Sequence, residues 1–561
     1  MTLGVADRQQ VLGDPVDAFC GDRLDDTVYG LLHHQRDRLF PDGLFADLFT
    51  TRGRRSIPPS VVACVLVLKQ LEGLSDVEAI DRFTYDVRWR YACGVGGWDG
   101  RLDGFDRTVL VRFRMRLEAS DDPRRIFTAT TKVAAEAGLV GVKRVLDSAP
   151  LFDAVATMDT VTLIRSAIRG LLKTADATLE SQLRGLLSGA DDYRAAGKPA
   201  CDWDDPDARA ELIDRLACDG LTLLAALEGR LLPAPVTDAA ELVATVIGQD
   251  LEADDDGTFR IVRRVAADRV ISTVDPDARH GRKSTSGKFD GYKGHVAIDP
   301  DSEIITDAAA GPANAGDGQM TGRMTADLDD TTGHDSDNSN TDTDGTDATG
   351  TDDTDDGDDD GTDGIDTDGD TDDEVVRPAV YGDAAYGSGD QLAELDERGI
   401  DAKVKCQPPS SRNGKFSKDD FTVDLDADTV SCPAGATVPI VRAGDGSGVA
   451  HFGEHCTWCP LRSRCTDAAR GRNVTIHRHE ALLARQRERG RDPDWLADYR
   501  ATRPKVERKL AHLIRRGRRA RRRGLERVDA DWALLAGAVN LARLATLRLH
   551  HTPGGWQTAP A

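Results

Sequence analysis

Ala379-Val-Tyr-Gly-Asp383-Ala-Ala-Tyr-Gly-Ser388 is the stretch on which the fold turns. Its first residues are apolar or small and run into a carboxylate, which reads as a short strand ending on Asp383. The spacing then predicts a helix over Gln391–Arg398 and a further strand at Ala402-Lys-Val-Lys405. Far upstream, Val142-Lys-Arg-Val-Leu-Asp147 is a second strand-like run ending on a carboxylate. Between the two lie strand signals at Arg260-Ile-Val-Arg-Arg-Val, Tyr292-Lys-Gly-His-Val-Ala-Ile298 and Glu303-Ile-Ile-Thr306. The last two flank the turn sequence Asp299-Pro-Asp-Ser302 and so predict a hairpin. Strand, hairpin, strand, helix, strand and a late helix make a mixed sheet with helices, an α/β fold.

Helical sequence surrounds this core. Residues 25–130 read as an all-α N-terminal domain. Ser60 to Leu71 is apolar on most sides, as in a buried helix, with Pro58 and Pro59 where a helix start tolerates proline. After Gly73, Ser75 is placed to cap a second helix over Asp76–Tyr85. Arg88, Arg90, Arg112, Arg114 and Arg116 make this region a candidate DNA-binding unit, with solvated surface arginines as the alternative. Residues 141–323 form the first part of the core, interrupted by an Ala- and Leu-rich helical insertion over 158–250 with a polar break at 197–206. The second part runs over 375–430, and basic helices occupy 478–523 within a C-terminal region of 478–550.

The charge is concentrated. The chain of 561 residues carries a formal −25, with 39 % hydrophobic and 30 % charged residues. Residues 324–374 alone hold 21 Asp, one Glu and no Lys or Arg, leaving about −3 for everything else. This stretch of Asp, Thr, Gly, Ser and Asn cannot bury enough apolar surface to offset ordering, so it reads as a disordered acidic insert. Asp366-Thr-Asp-Gly-Asp370 hints at calcium, but no ordered twelve-residue loop closes on a Glu. The heavy use of Asp points to a salt-loving host. Residues 500–527 reverse the sign, with 13 Lys or Arg against two Glu. Screening confines such fields to about 8–10 Å, so a local basic patch serves a polyanion whatever the total. No apolar run approaches the length of a membrane span, and the first residues lack a secretory pattern, which predicts an intracellular, cytoplasmic protein and no membrane.

Three groups of side chains carry possible chemistry. Asp147 and Asp383 at strand ends converge if their strands are neighbours, and converging carboxylates bind hard divalent cations. Cys432, Cys456, Cys459 and Cys465 cluster around one CxxC pair, a donor set for Zn²⁺ or else unliganded thiols, and bound a small zinc module over 431–466. The other six cysteines, Cys20, Cys64, Cys93, Cys201, Cys218 and Cys406, read as isolated buried thiols. Arg515, Arg516, Arg518 and Arg519 belong to Arg515-Arg-Gly-Arg-Arg-Ala-Arg-Arg-Arg523, whose density of one sign repels itself unless an anion lies close.

Three stretches together resemble the DDE transposases of prokaryotic insertion sequences, in the branch with a Tyr–Arg–Glu signature. They are Val145-Leu-Asp147-Ser-Ala-Pro-Leu-Phe-Asp153, Tyr381-Gly-Asp383-Ala-Ala-Tyr-Gly-Ser388 and Asp498-Tyr499-Arg-Ala-Thr-Arg503-Pro-Lys-Val-Glu507. Asp275-Pro-Asp-Ala-Arg279 with Gly291 to Asp299, and the N-terminal helices, are similar to further parts of the family. The resemblance covers about 35 to 550 apart from 324–374. It implies a ribonuclease-H-like fold, a catalytic trio of Asp147, Asp383 and Glu507, and two Mg²⁺ (or Mn²⁺) ions. It also implies DNA as partner, both terminal inverted repeats and target, and a homodimer on paired ends. Tyr499 and Arg503 would face the DNA, and their fourfold spacing to Glu507 predicts one shared helix face. Two departures stand out. The usual signature sets Arg one residue nearer Tyr, and it has a Lys seven after Glu, where this chain has Ile514. Glu480, Glu488 and Glu526 compete for the third place. The alternatives are a nuclease of the same fold without strand transfer and a catalytically silent DNA-binding derivative.

Overall fold

The computed structural model describes residues 1–6, 15–96, 104–153, 156–189, 191–283, 287–329, 377–409 and 414–559. It begins with helices α1 (Pro15–Leu24), α2 (Val28–Leu39), α3 (Pro59–Glu72), α4 (Asp76–Tyr85), α5 (Val87–Ala92), α6 (Thr108–Glu118) and α7 (Arg125–Glu136). The start of α3 carries Pro59 in its first turn and its end is closed by Gly73 at φ 69°. Ser75 and Glu78 form a reciprocal cap on α4, with bonds of 3.2 and 2.7 Å. Arg114 is no surface arginine: its guanidinium grips Asp76 at 2.8 Å while Lys69 lies 3.1 Å from the same carboxylate. Burial pushes the Asp76 carboxyl up, but Arg114 and Lys69 together bring it down to about 2.

Strand β1 (Lys143–Phe152) opens the core, and α8 (Thr160–Thr174), α9 (Ala177–Arg184), α10 (Pro206–Leu227) and α11 (Ala234–Asp250) follow it. These four helices bury an apolar cluster of their own, so the inserted segment packs chiefly on itself. The expected strand at Arg260 is much shorter than the sequence suggests: β2 (Leu251–Ala253) and β3 (Phe259–Ile261) make a two-stranded ribbon whose edge residues are exposed.

Then come β4 (Arg279–Arg282), β5 (Lys288–Ile298) and β6 (Ile305–Pro312), a short helix α12 (Thr321–Met324), β7 (Ala379–Gly382), α13 (Gly389–Glu397) and β8 (Asp401–Val404). With β1 they build a six-stranded sheet in the order β4–β5–β1–β7–β8, with β6 also on β5. The strands β1, β5 and β6 are antiparallel, whereas β7 and β8 run parallel to β1. The turn between β5 and β6 is the anticipated one. Asp299 accepts bonds from the backbone of Asp301 and Ser302, and β6 starts at Ile305, later than the sequence suggests. Gly291, at φ 138°, is required where β5 meets the end of β1, because a Cβ there would lie 2.2 Å from the carbonyl oxygen of Leu151.

The start of the acidic stretch 324–374, expected to be disordered, is instead part of the folded core. Met324, Thr325 and Leu328 are buried, and Asp327 pairs with the buried Arg144 at 2.7 Å, so residues 324–329 belong to the core. Residues 330–376, including the calcium-like run, lie outside the described residues.

Beyond β8, the strands β9 (Thr422–Asp424), β10 (Thr429–Ser431), β11 (Thr437–Arg442), β12 (Gly448–His451) and β13 (Asn473–Ile476) form an antiparallel sheet, with α14 (Arg462–Cys465) beside it. The chain closes with α15 (Glu480–Arg489), α16 (Pro493–Thr502), α17 (Pro504–Gly517), α18 (Leu525–Thr546) and the hairpin β14 (Leu549–Thr552) and β15 (Gly555–Thr558). Apolar residues of α18 are shared between the cluster under the N-terminal helices and the one on the sheet, so this helix joins the two. The Asp275-Pro-Asp277 sequence anchors its start: Asp275 accepts from the Gly524 amide at 3.0 Å and Asp277 from Leu525 at 2.8 Å. No helix of the described residues is long and apolar enough to cross a membrane.

All ten cysteines are free thiols. Cys20, Cys64 and Cys93 are buried as expected, but Cys201 and Cys406 are partly exposed and Cys218 is on the surface. Cys218 lies on α10, whose buried positions include Leu216, Ala217, Asp219 and Gly220 but pass it by.

Candidate active site

The parallel ladder sets the site. Its pairs run in step from Lys143↔Ala379 to Val145↔Tyr381. Two residues further along each chain come Asp147 and Asp383, at the same end of the sheet. Asp383 directly follows β7 as expected, but Asp147 does not end its strand: β1 continues to Phe152 while β7 has already stopped. The gap beside Asp147 is where a third group can enter from the helical face.

That group is Arg503. Its Nη2 lies 3.1 Å from Asp147 Oδ1, and its Nη1 lies 3.8 Å from Glu507 Oε1. The Arg503 side chain is 9 % exposed, against 16 % for Asp147 and 63 % for Glu507. Burial raises the Asp147 carboxyl above its usual range and Asp383 adds to this, while Arg503 pulls the other way. Burial also works against the charge on Arg503, but Asp147, with Tyr499 and Asp383, more than restores it. Arg503 Nε and Nη1 are buried without a hydrogen-bond partner among the described residues. Asp147 within β1, Asp383 just after β7 and Glu507 on α17, with one guanidinium, make a hard oxygen-donor set in excess of the positive charge beside it. That chemistry fits a divalent cation. Among the described residues, however, no group of three or more His, Cys, Asp or Glu side chains is arranged as a metal cage.

The Tyr–Arg–Glu residues do not lie on one continuous helix. Pro504 lacks an amide hydrogen and divides α16 from α17, with Arg503 at the junction. The sequence assigns Tyr499 to DNA, yet its side chain is buried. Its hydroxyl donates to the Gly382 carbonyl at 3.1 Å, and its ring stacks on Trp495 at 5.1 Å. It therefore supports the residue before Asp383. Asp498, which sequence reasoning passed over, ties α16 to the sheet by accepting from Tyr381 at 2.9 Å and from the Lys403 ammonium.

The competing glutamates lie elsewhere. Glu480 is buried among Lys418, Arg487 at 2.8 Å and the His477 amide at 3.1 Å. Glu488 pairs with Arg491 on the surface, and Glu526 is exposed in the first turn of α18. Of these acids, Glu507 is the one joined to Asp147 through an arginine.

The arginine run is not helical past Gly517. Phe152 and the segment after α17 exchange backbone bonds, from Phe152 to Arg518 at 2.9 Å and from Ala520 to Phe152 at 2.8 Å. Several of its cations are occupied by protein. Arg516 donates to the Leu71 carbonyl, Arg521 to those of Gly73 and Leu74, and Arg522 holds Glu118 at 2.6 Å. Arg518 lies over the Phe152 ring. The side chains of Arg515, Arg519 and Arg523 are exposed and have no ion-pair partner among the described residues.

Cys432, Cys456, Cys459 and Cys465 line one cavity beside the β9–β13 sheet. The Arg472 amide donates to Cys456 Sγ at 3.4 Å. Burial pushes the Cys465 thiol up, and the other three sulfurs add to this. The donor chemistry suits Zn²⁺, although the thiols do not converge as a cage.

Two family models match the chain. One, described as Transposase DDE domain, matches residues 431–545, and the other, Transposase domain (DUF772), matches residues 25–116. Glu507 falls inside the first match, while Asp147 and Asp383 fall outside both. No curated protein and no solved structure matches.

Proposed function

We propose that this chain, a DDE transposase of insertion-sequence type, cuts DNA at the ends of its element and joins them to target DNA, using Asp147, Asp383 and Glu507. The observation that carries the reading is the meeting of the first two acids at one end of neighbouring parallel strands, with Glu507 bridged to Asp147 by Arg503. A six-stranded sheet in which β5 pairs antiparallel with β4, β1 and β6 and in which β7 and β8 run parallel to β1, with a late helix bearing an acid, supports a ribonuclease-H-like core. The three carboxylates would hold Mg²⁺ or Mn²⁺; when bound, such ions supply Lewis acidity and a stronger oxygen nucleophile.

Both steps are in-line displacements at phosphorus. In cleavage, an oxygen of water forms a bond to the scissile phosphorus, the bond to the 3′-oxygen breaks, and the departing oxygen takes up a proton. In joining, the freed 3′-hydroxyl loses its proton and attacks a target phosphodiester, whose own 3′-oxygen leaves. Arg503 is placed to hold a non-bridging phosphate oxygen with its Nε, which has no hydrogen-bond partner among the described residues. Arg515, Arg519 and Arg523 would track the backbone, and the N-terminal helices would bind the element end.

The test is an assay with precut ends and supercoiled target in Mg²⁺. Joined products support the reading. Hydrolysis without joining would make the chain a nuclease, and DNA binding without either would make it a silent derivative.

The four clustered cysteines would hold one structural Zn²⁺. Elemental analysis should find about one Zn per chain, lost in Cys456→Ser/Cys459→Ser. Metal-free protein with an intact fold and full activity would overturn this.

A further inference from the structure

The reverse face of the sheet, behind Asp147, carries a half-buried polar cluster that the reaction above does not use. Leu146 packs there with Ala297, Val380 and Tyr386, and Ser148 shares that face because strand side chains alternate. The Ser148 hydroxyl donates to Asp317 Oδ2 at 2.7 Å. Lys293 Nζ donates to Asp317 Oδ1 at 2.7 Å and to the Ala315 carbonyl at 2.6 Å. Both oxygens of Asp317 are thus engaged, one by β1 and one by β5. Ser148 in turn follows Asp147 directly, and its amide donates to Asp147 Oδ1 at 2.8 Å.

The same turn also touches the chain that carries the second acid. A Cβ on Gly318 would lie 2.7 Å from Gln391 Cδ and 3.0 Å from the Ala385 carbonyl oxygen, so the turn and the 383–391 segment meet with no space between them. Ala385 donates its amide to Asp383 Oδ1 at 2.8 Å. Tyr386 is buried between the two, and after burial itself the carboxylates of Asp317, Asp147 and Asp383 are what raise its hydroxyl. His295, paired with Ser148 across the ladder and 1 % exposed, completes the cluster. Lys293 offsets the charge of Asp317, which leaves the charges of Asp147 and Asp383 for the other face.

We propose that Asp317 is a positioning residue that fixes the end of β1 bearing Asp147 against the segment bearing Asp383. The proposal rests on the metal-dependent reading given above. Groups that orient metal ligands from behind commonly change metal affinity by about 10–100-fold when removed.

The experiment compares Ser148→Ala and Asp317→Asn with the full wild-type chain, with Asp317→Asn/Lys293→Met added because Asp317→Asn alone leaves a half-buried ammonium unpaired. Mn²⁺ affinity is read from the electron paramagnetic resonance of free Mn²⁺, and loop order from amide exchange over 383–391. The expected result is about tenfold weaker Mn²⁺ binding and faster exchange over 383–391, with DNA affinity unchanged. Unaltered Mn²⁺ affinity and unaltered exchange in all variants would overturn it. If wild-type protein binds no Mn²⁺, the metal reading fails, and exchange alone decides: faster exchange keeps Asp317 as the clamp, and unchanged exchange removes it.

Discussion

Arg503 Nη2 sits 3.1 Å from Asp147 Oδ1 while Nη1 of the same guanidinium lies 3.8 Å from Glu507 Oε1. One buried guanidinium therefore bridges two of the three carboxylates proposed to act together.

Replacing it by Arg503→Gln should separate two quantities. Metal binding to the free protein should tighten by about tenfold, since a competing unit charge is removed at short range. DNA cleavage should fall by about 10²-fold as a phosphate contact is lost. Mn²⁺ titration and single-turnover cleavage read the two; a parallel loss of both would make Arg503 a structural prop.

His295 gives a pH prediction. Burial, with Lys293 and Arg323 adding and Asp317 opposing, lowers its pKa from 6.5 to about 4. The unfolded chain therefore takes up a proton at a pH where the folded chain does not. The stability contributed by neutral His295 is fully present above pH 6.5 and is lost as pH falls towards 4. Chemical denaturation at several pH values should show a shallower decline in His295→Gln; an identical slope would contradict it.

The arginine run should divide into two functional groups. Arg522→Ala removes the Nη2 that reaches both oxygens of the largely buried Glu118, leaving only Arg527 at 3.7 Å, and should cost about 1–3 kcal/mol of stability. Arg519→Ala and Arg523→Ala should change stability by less than about 0.5 kcal/mol. Each of these two should instead lower the slope of DNA affinity against log salt by about one. Calorimetric unfolding and binding across salt concentrations distinguish the groups.

Excising 330–376 should leave the core folded. Arg398 binds Asp329 at 2.7 Å and Arg377 donates to the carbonyl of Gly399, so the two flanks of the excised segment are held by consecutive residues and a short Gly-Ser linker can join them. Removing the acidic charge should strengthen DNA binding at low salt and change it little near 1 M, where the Debye length is about 3 Å. Activity lost at every salt concentration in a folded protein would show that the segment takes part in the reaction.

The parts of the molecule legible in the sequence are those fixed by local rules. Ser75 marked the start of α4, the apolar run before Asp383 gave β7, and Asp299-Pro-Asp-Ser302 gave the hairpin. The continuation of β1 past Asp147 was hidden by Pro150, which normally argues against a sheet interior. It is tolerated because β7 has stopped by then and its side of β1 needs no amide there. The β9–β13 sheet escaped notice because its strands are three to six residues long and broken by Asp and Gly turns. Nor could the sequence distinguish an arginine that binds phosphate from one like Arg521, whose acceptors Gly73 and Leu74 are remote in the chain. The same distance hid Asp317, which meets Ser148 only through the fold.

The central claim is that Asp147, Asp383 and Glu507 act as one metal-dependent unit. The direct measurement is Mg²⁺-dependent cleavage of element-end DNA by Asp147→Asn, Asp383→Asn and Glu507→Gln, with DNA affinity determined for each. Cleavage should fall by about 10³-fold or more in all three, with affinity within about threefold of wild type. Full cleavage by Glu507→Gln, with the two aspartate variants inactive, would contradict the claim and move the third acid to another residue.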